Sequence, residues 1–115
     1  MNKELKNIFN NFKVNNKKIP VEHIKYNGKE RTYITWIIIN EVPGLNGDND
    51  NLYSIVEVDI DIFSDENYLD IMDEVKKIMK KNNWLWKEDS SEVYEDDTEL
   101  NHRTITFEKE RFING

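Results

Sequence analysis

Apolar and polar residues alternate without interruption through the middle of the chain. Val56, Val58, Ile60 and Ile62 are separated by Glu57, Asp59 and Asp61. A period of two predicts a half-buried strand with one aliphatic face and one face carrying three acids. The period then changes. Tyr68, Ile71, Met72, Val75, Ile78 and Met79 recur at three- and four-residue spacing, the single apolar stripe of an amphipathic helix. Ser64 and Asp65 are candidate caps, with Asp65 and Glu66 placing negative charge at the start. Lys76, Lys77, Lys80 and Lys81 gather at the other end, and Asn82-Asn83 closes the helix. Residues 52–81 are thus expected to run from strand straight into helix, and the two apolar surfaces, packed together, to form the core.

The flanking sequence adds further elements. Leu5, Ile8, Phe9 and Phe12 fit a short amphipathic helix over residues 2–13, marginal alone and in need of something to dock on. Asn15 to Lys18 reads as a polar break, and Pro20 opens a short extended piece ending near Tyr26. Asn27-Gly28 signals a turn between two extended runs. Arg31 to Glu41 reads as a strand apolar on both faces, either central or covered on one side by a partner chain. A loop dense in turn residues, Pro43 to Asn51, precedes the central strand. After the long helix, Trp84-Leu85-Trp86 starts a strand that continues through an acidic stretch, and Arg103 to Phe112 forms the last one. The expected fold is α+β, one domain over 1–115. Its mainly antiparallel sheet has about five strands, with an N-terminal helix and one long helix packed on it (order α-β-β-β-α-β-β).

Composition narrows the function classes. With 115 residues the chain can hold a core without disulfides, and the absence of cysteine excludes both a disulfide framework and a thiolate metal site. No run approaches the ~20 apolar residues that span a bilayer, so a soluble protein with no membrane partner is expected. A net charge of −7 argues against a dedicated nucleic-acid binder, whose footprint is basic, and against anionic membrane surfaces.

Candidate chemistry is thin. Asp48 and Asp50 in a Gly-containing loop hint at calcium, but Gly47 precedes the acids and no Glu stands in the EF-hand register, so a solvated turn explains them better. Glu57, Asp59 and Asp61 could hold magnesium in a nuclease, yet ordinary solvent-face acids account for them. His23 and His102 lie far apart, outside any zinc-pair spacing. No catalytic residue, metal ligand or cofactor is assigned. Trp36, Trp84 and Trp86 read as core or, where a strand is apolar on both faces, as interface anchors.

The C-terminal third carries a family signature. Tyr94, Glu95, Asp97, Thr98 and His102 precede the alternating strand Thr104-Ile105-Thr106-Phe107-Glu108. The run resembles the closing hairpin of tail-terminator and tail-completion (tail-to-head joining) proteins of tailed bacteriophages, of the form Y-E-x-D-T-x-x-Y-H. Asn101 stands where an aromatic is common. Pro20-Val21, the strand ending Glu41-Val42-Pro43, and the acid-alternating strand leading into the single long helix fit the same layout.

The resemblance implies a structural protein and not an enzyme: a homohexameric ring on the head-proximal end of the tail tube, assembled in the bacterial host cytoplasm and retained in the virion. It also implies three partners besides further copies of itself. These are the tail tube protein, the head-tail connector or stopper protein, and genomic DNA passing through the lumen without specific binding. On that reading Leu5, Phe9, Phe12, Trp36, Leu45, Trp84 and Trp86 are candidates for the oligomer, tail or connector interface. Asp48, Asp50, Glu57, Asp59 and Asp61 are candidates for the channel lining. Six copies at −7 carry −42, and like-charge repulsion keeps DNA off a channel wall. The rival readings are a small acidic binding protein, such as a nuclease inhibitor or DNA mimic, and a metal-dependent nuclease.

Overall fold

The alternating segment becomes strand β5 (Tyr53–Ser64), and it alternates in burial along its whole length. Even-numbered Val56, Val58, Ile60 and Ile62 are fully buried, while the odd-numbered residues are half-buried on the opposite face. The computed structural model describes residues 1–44 and 53–112. Within it β5 lies between β4 (Tyr33–Pro43) and β8 (Leu100–Phe112), antiparallel to both. Ile34 and Trp36 of β4, and Ile105 and Phe107 of β8, fall beside the even β5 positions and extend the apolar face across three strands.

The helices cover that face and no other. In α2 (Leu69–Lys81), Ile71, Met72, Val75 and Met79 turn inward and join the core of the sheet. Asn83, in the left-handed region at φ 69°, ends the helix as the Asn82-Asn83 pair led one to expect. Its start differs. Ser64 remains in β5, fully buried, sharing a 3.0 Å hydrogen bond with Thr32 and accepting one from the Glu66 N–H. The helix therefore begins only after Tyr68, without a side-chain cap.

Helix α1 (Asn2–Ile8) stops earlier than its apolar spacing indicates. The chain turns at Asn11 (φ 58°), and Phe9 and Phe12 reach the core from the turn, their rings edge to face at 5.5 Å. The polar break that follows is a two-stranded hairpin, β1 (Lys13–Val14) with β2 (Lys17–Lys18). Asn15 and Asn16 both take positive φ, the primed turn that matches strand twist.

The sheet corrects the expected topology. There are eight strands among the described residues, not about five, and the main sheet is mixed. β3 (Val21–His23) pairs parallel to β4, so Asn27-Gly28 joins no hairpin. Gly28 has a different need: a Cβ there would overlap the Tyr26 ring. The acidic stretch after α2 is not one strand. β6 (Leu85–Asp89) and β7 (Val93–Glu95) follow one another along the same edge of β8. Between them Ser90 bridges the gap: its N–H donates to Thr104 O, its Oγ accepts from Thr104 N–H, and its carbonyl accepts from Arg103 Nε. The strand order is β3-β4-β5-β8-β6, with β7 also on β8. No described helix is long and apolar enough to cross a membrane.

Candidate interaction face

The face of the sheet away from both helices is where the odd β5 positions point. Register with β8 sets Asp59 beside Thr106, Asp61 beside Thr104, and Phe63 beside His102. The threonine hydroxyls then donate to the acids: Thr106 Oγ1 to Asp59 Oδ1 at 2.6 Å and Thr104 Oγ1 to Asp61 Oδ1 at 2.5 Å. Glu57 is held by Lys87 Nζ at 3.3 Å, and the same ammonium lies 3.8 Å from Glu108. Lys87 sits at a register shift between β6 and β8 and reaches across to β5 from there.

His102 lies at the end of this row. Its Nε2 is 2.9 Å from Asp61 Oδ1, its Nδ1 is 3.5 Å from Glu95 Oε2, and its ring stacks on Phe63 at 4.2 Å. The stack continues: Phe63 on Tyr33 at 4.7 Å, and Tyr33 on Tyr26 at 4.6 Å. Four rings thus cross the sheet as one ladder, closing the acid row at one end.

The electrostatics follow from this crowding. Partial burial pushes the Asp59 carboxyl up; the Thr106 hydrogen bond opposes this, and Asp61, Glu57 and Glu88 reinforce it. The hydrogen bond to Asp61 holds His102 above the ordinary imidazole range against its own desolvation, with Glu95 adding to the pull. Burial raises the Tyr33 phenol, and the Glu95 charge raises it further. Glu57 likewise raises Lys87. Register also brings Glu108 and Glu110 of β8 and Glu88 of β6 to this side, so acids from three neighbouring strands meet on one surface.

No family model matches the chain, and no curated protein does.

The expected site residues divide sharply. Glu57, Asp59 and Asp61 share the open face, but each is engaged by a neighbour and only half-buried. Asp48, Asp50 and Leu45 lie outside the described residues. Leu5, Phe9, Phe12, Trp36 and Trp84 are at most 5% exposed in the chain's own core, so as folded they offer no surface to a partner. Their apolar spacing marked burial, and burial is inside the monomer. Of the expected anchors among the described residues, Trp86 alone stands out, 53% exposed, with Lys76 Nζ 4.3 Å above its ring and its Nε1–H donating to Asp89. Lys87, Thr104, Thr106 and the aromatic ladder have no role assigned from the sequence, where His102 figures only in the hairpin signature. Their parity relative to Asp59 and Asp61 would have revealed them only with the β5–β8 register in hand. Among the described residues no group of three or more His, Asp or Glu is arranged to hold a metal ion.

Proposed function

We propose that this chain is a structural protein of a tailed phage or phage-tail-like particle. It forms a ring with further copies on the head-proximal end of the tail tube, ends tube polymerisation and offers the docking surface for the head connector. The observation that carries this reading is the closing hairpin, where the residues resembling the terminator signature work as one unit. Thr98 Oγ1 donates to Glu95 at 3.1 Å, Glu95 lies against His102, and His102 bonds Asp61 on the central strand. Arg31 fixes the turn from outside, donating to the Thr98 and Glu99 carbonyls while pairing with Asp65 at 2.9 Å.

The open acidic face supports the same reading. A channel that passes DNA needs a wall that repels phosphate, and acids spread over three strands provide one. A hydroxyl donor holds Asp59 without cancelling its charge, so it can line the lumen while staying ordered. The test is tube assembly in vitro. Tail tube protein polymerised with this chain should give short tubes bearing a ring at one end; tubes of unchanged length with bare ends would refute the proposal.

A second reading is supported by the surface acids Glu92, Asp96, Asp97 and Glu99, which make no side-chain ion pair among the described residues. An acidic binding protein that occupies the nucleic-acid site of a basic enzyme would use such a cluster. One-to-one capture of a basic nuclease, with loss of its activity, would favour it over the ring.

A further inference from the structure

The two edges of the main sheet carry opposite and complementary surfaces. At the β3 edge, α1, β2 and β3 enclose a groove of about 1060 Å³. Its rim holds Lys3, Lys6, Lys17 and Lys18, all exposed, and the half-buried Pro20 and Val21 give it an apolar wall over the buried Phe9 and Trp36. Of the four lysines only Lys17 makes an ion pair among the described residues, a loose 3.6 Å contact with Glu66. Glu22 and Glu30 also line the groove, leaving four positive charges against two negative.

At the opposite edge, the β7–β8 hairpin projects Val93 and Tyr94, 50% and 56% exposed. Glu92, Asp96, Asp97 and Glu99, all exposed, flank them along the chain. An aromatic residue that exposed, flanked in sequence by acids and mounted on a hairpin whose turn is clamped by Arg31, has the make-up of a docking knob. The groove, apolar-walled and rimmed with lysine, has the make-up of its socket.

Position makes the match productive. The start of β4, the end of β5 and the start of β8 lie together, so the groove and the hairpin occupy the same end of the sheet on opposite edges. Tyr94 pairs with Asn101, which lies beside Ser64 on the helix-bearing side. Trp36, in the groove, is on that side too. Knob and socket therefore face compatible ways, and a sideways step from one molecule to the next brings them together.

We propose that the Tyr94 hairpin of one copy docks in the α1–β3 groove of the next. This is a head-to-tail contact between unlike patches, and contacts of that kind propagate into a ring when the rotation closes. It gives the terminator reading its subunit contact and rests on that reading only for closure around the tube. The acid–lysine complementarity steers the encounter, and Tyr94 supplies the buried anchor.

The chain has no cysteine, so introduced thiols report the contact cleanly. Ser91→Cys places one beside the knob and Asn10→Cys one at the socket, each sparing the charges and Tyr94. With the socket thiol activated beforehand as an aromatic mixed disulfide, the knob thiolate attacks its sulfur and the aromatic thiolate leaves. Docking holds the two sulfurs at an effective concentration of order mM, against about 100 μM in free solution, so this exchange should run about tenfold faster than with an equally activated Lys77→Cys, outside the groove. Lys17→Glu with Lys18→Glu on the socket chain should abolish that excess. Asp96→Lys with Asp97→Lys on the knob chain should restore it, which a folding defect could not do. Equal rates for the two thiol pairs, or no restoration by the second charge reversal, would overturn the proposal. The contact and the terminator function fail separately: preferred cross-linking alongside normal tails in particles lacking the gene keeps the contact and removes the tail role.

Discussion

Replacing Leu5 by Ala distinguishes a helix that belongs to the monomer from an arm waiting for a neighbour. Helix α1 has seven residues, too few to persist on its own. What holds it is Leu5, fully buried, with Ile8, Phe9 and Phe12 beside it in the core. Glu4 adds a polar clamp, accepting from Trp84 Nε1 at 3.0 Å and from Lys109 Nζ at 2.7 Å. Removing a buried leucine side chain costs about 2–5 kcal/mol, the transfer term plus the cavity left behind. Taking ~3 kcal/mol against a domain stability of about 5–15 kcal/mol, the variant loses a fifth or more of its margin. Unfolding entropy near 2.1 cal/mol/K per residue gives roughly 0.24 kcal/mol/K for 115 residues, so the midpoint should fall by about 12 °C. Thermal and urea melts followed by tryptophan fluorescence measure it, since Trp84 and Trp36 share the core with α1. Lys6→Ala, on the exposed side of the same helix, should stay within about 0.5 kcal/mol of wild type. A Leu5→Ala protein melting within a degree or two of wild type would refute the packing argument and return α1 to the status of a docking arm.

Two further variants probe the open face. Asp59 has a raised carboxyl pKa in the folded state, so folding favours its protonated form, and its contribution to stability fades as pH rises through that pKa. At neutral pH the charge is a cost, so Asp59→Asn, whose amide oxygen can still accept from Thr106, should be neutral or stabilising by up to about 1 kcal/mol after solvent screening. A clear loss in urea melts would show that the charge itself is needed. His102 is also raised, but by carboxylate partners, so its charged form stabilises the fold fully below the unfolded value near 6.5 and the gain disappears as pH climbs through the folded value. Wild type should therefore exceed His102→Gln by more at about pH 5.5 than at about pH 8.5. An advantage that is flat or grows with pH would mean the ring acts by stacking on Phe63 alone.

Local pattern made the centre of this fold legible. The period-two run of β5 and the stripe of α2 are strong signals because each element is amphipathic against the same core, and Asn82-Asn83 marks where the helix must stop. The failures share one cause: pairing between distant residues outweighs local preference. Asn27-Gly28 has hairpin chemistry, but Val21–His23 gains its hydrogen bonds from the far side of β4, in parallel, and no turn signal can announce that. Asn15-Asn16 was the reverse case, a usable turn signal between strands too short to notice. Trp84 and Trp86 stand two apart, yet one is buried beside α1 and the other is exposed, because Trp84 precedes the strand. For the candidate face, the three acids of β5 were visible from alternation. Their threonine, lysine and histidine partners were not, since those come from β8 and β6 through a register that sequence spacing does not specify.

The most direct test of the account is electron microscopy of particles produced without this gene. A tail terminator predicts tube growth without a stop, so tails of excessive and uncontrolled length should appear beside unattached heads. Tails of normal length, joined to heads as usual, would contradict the structural role.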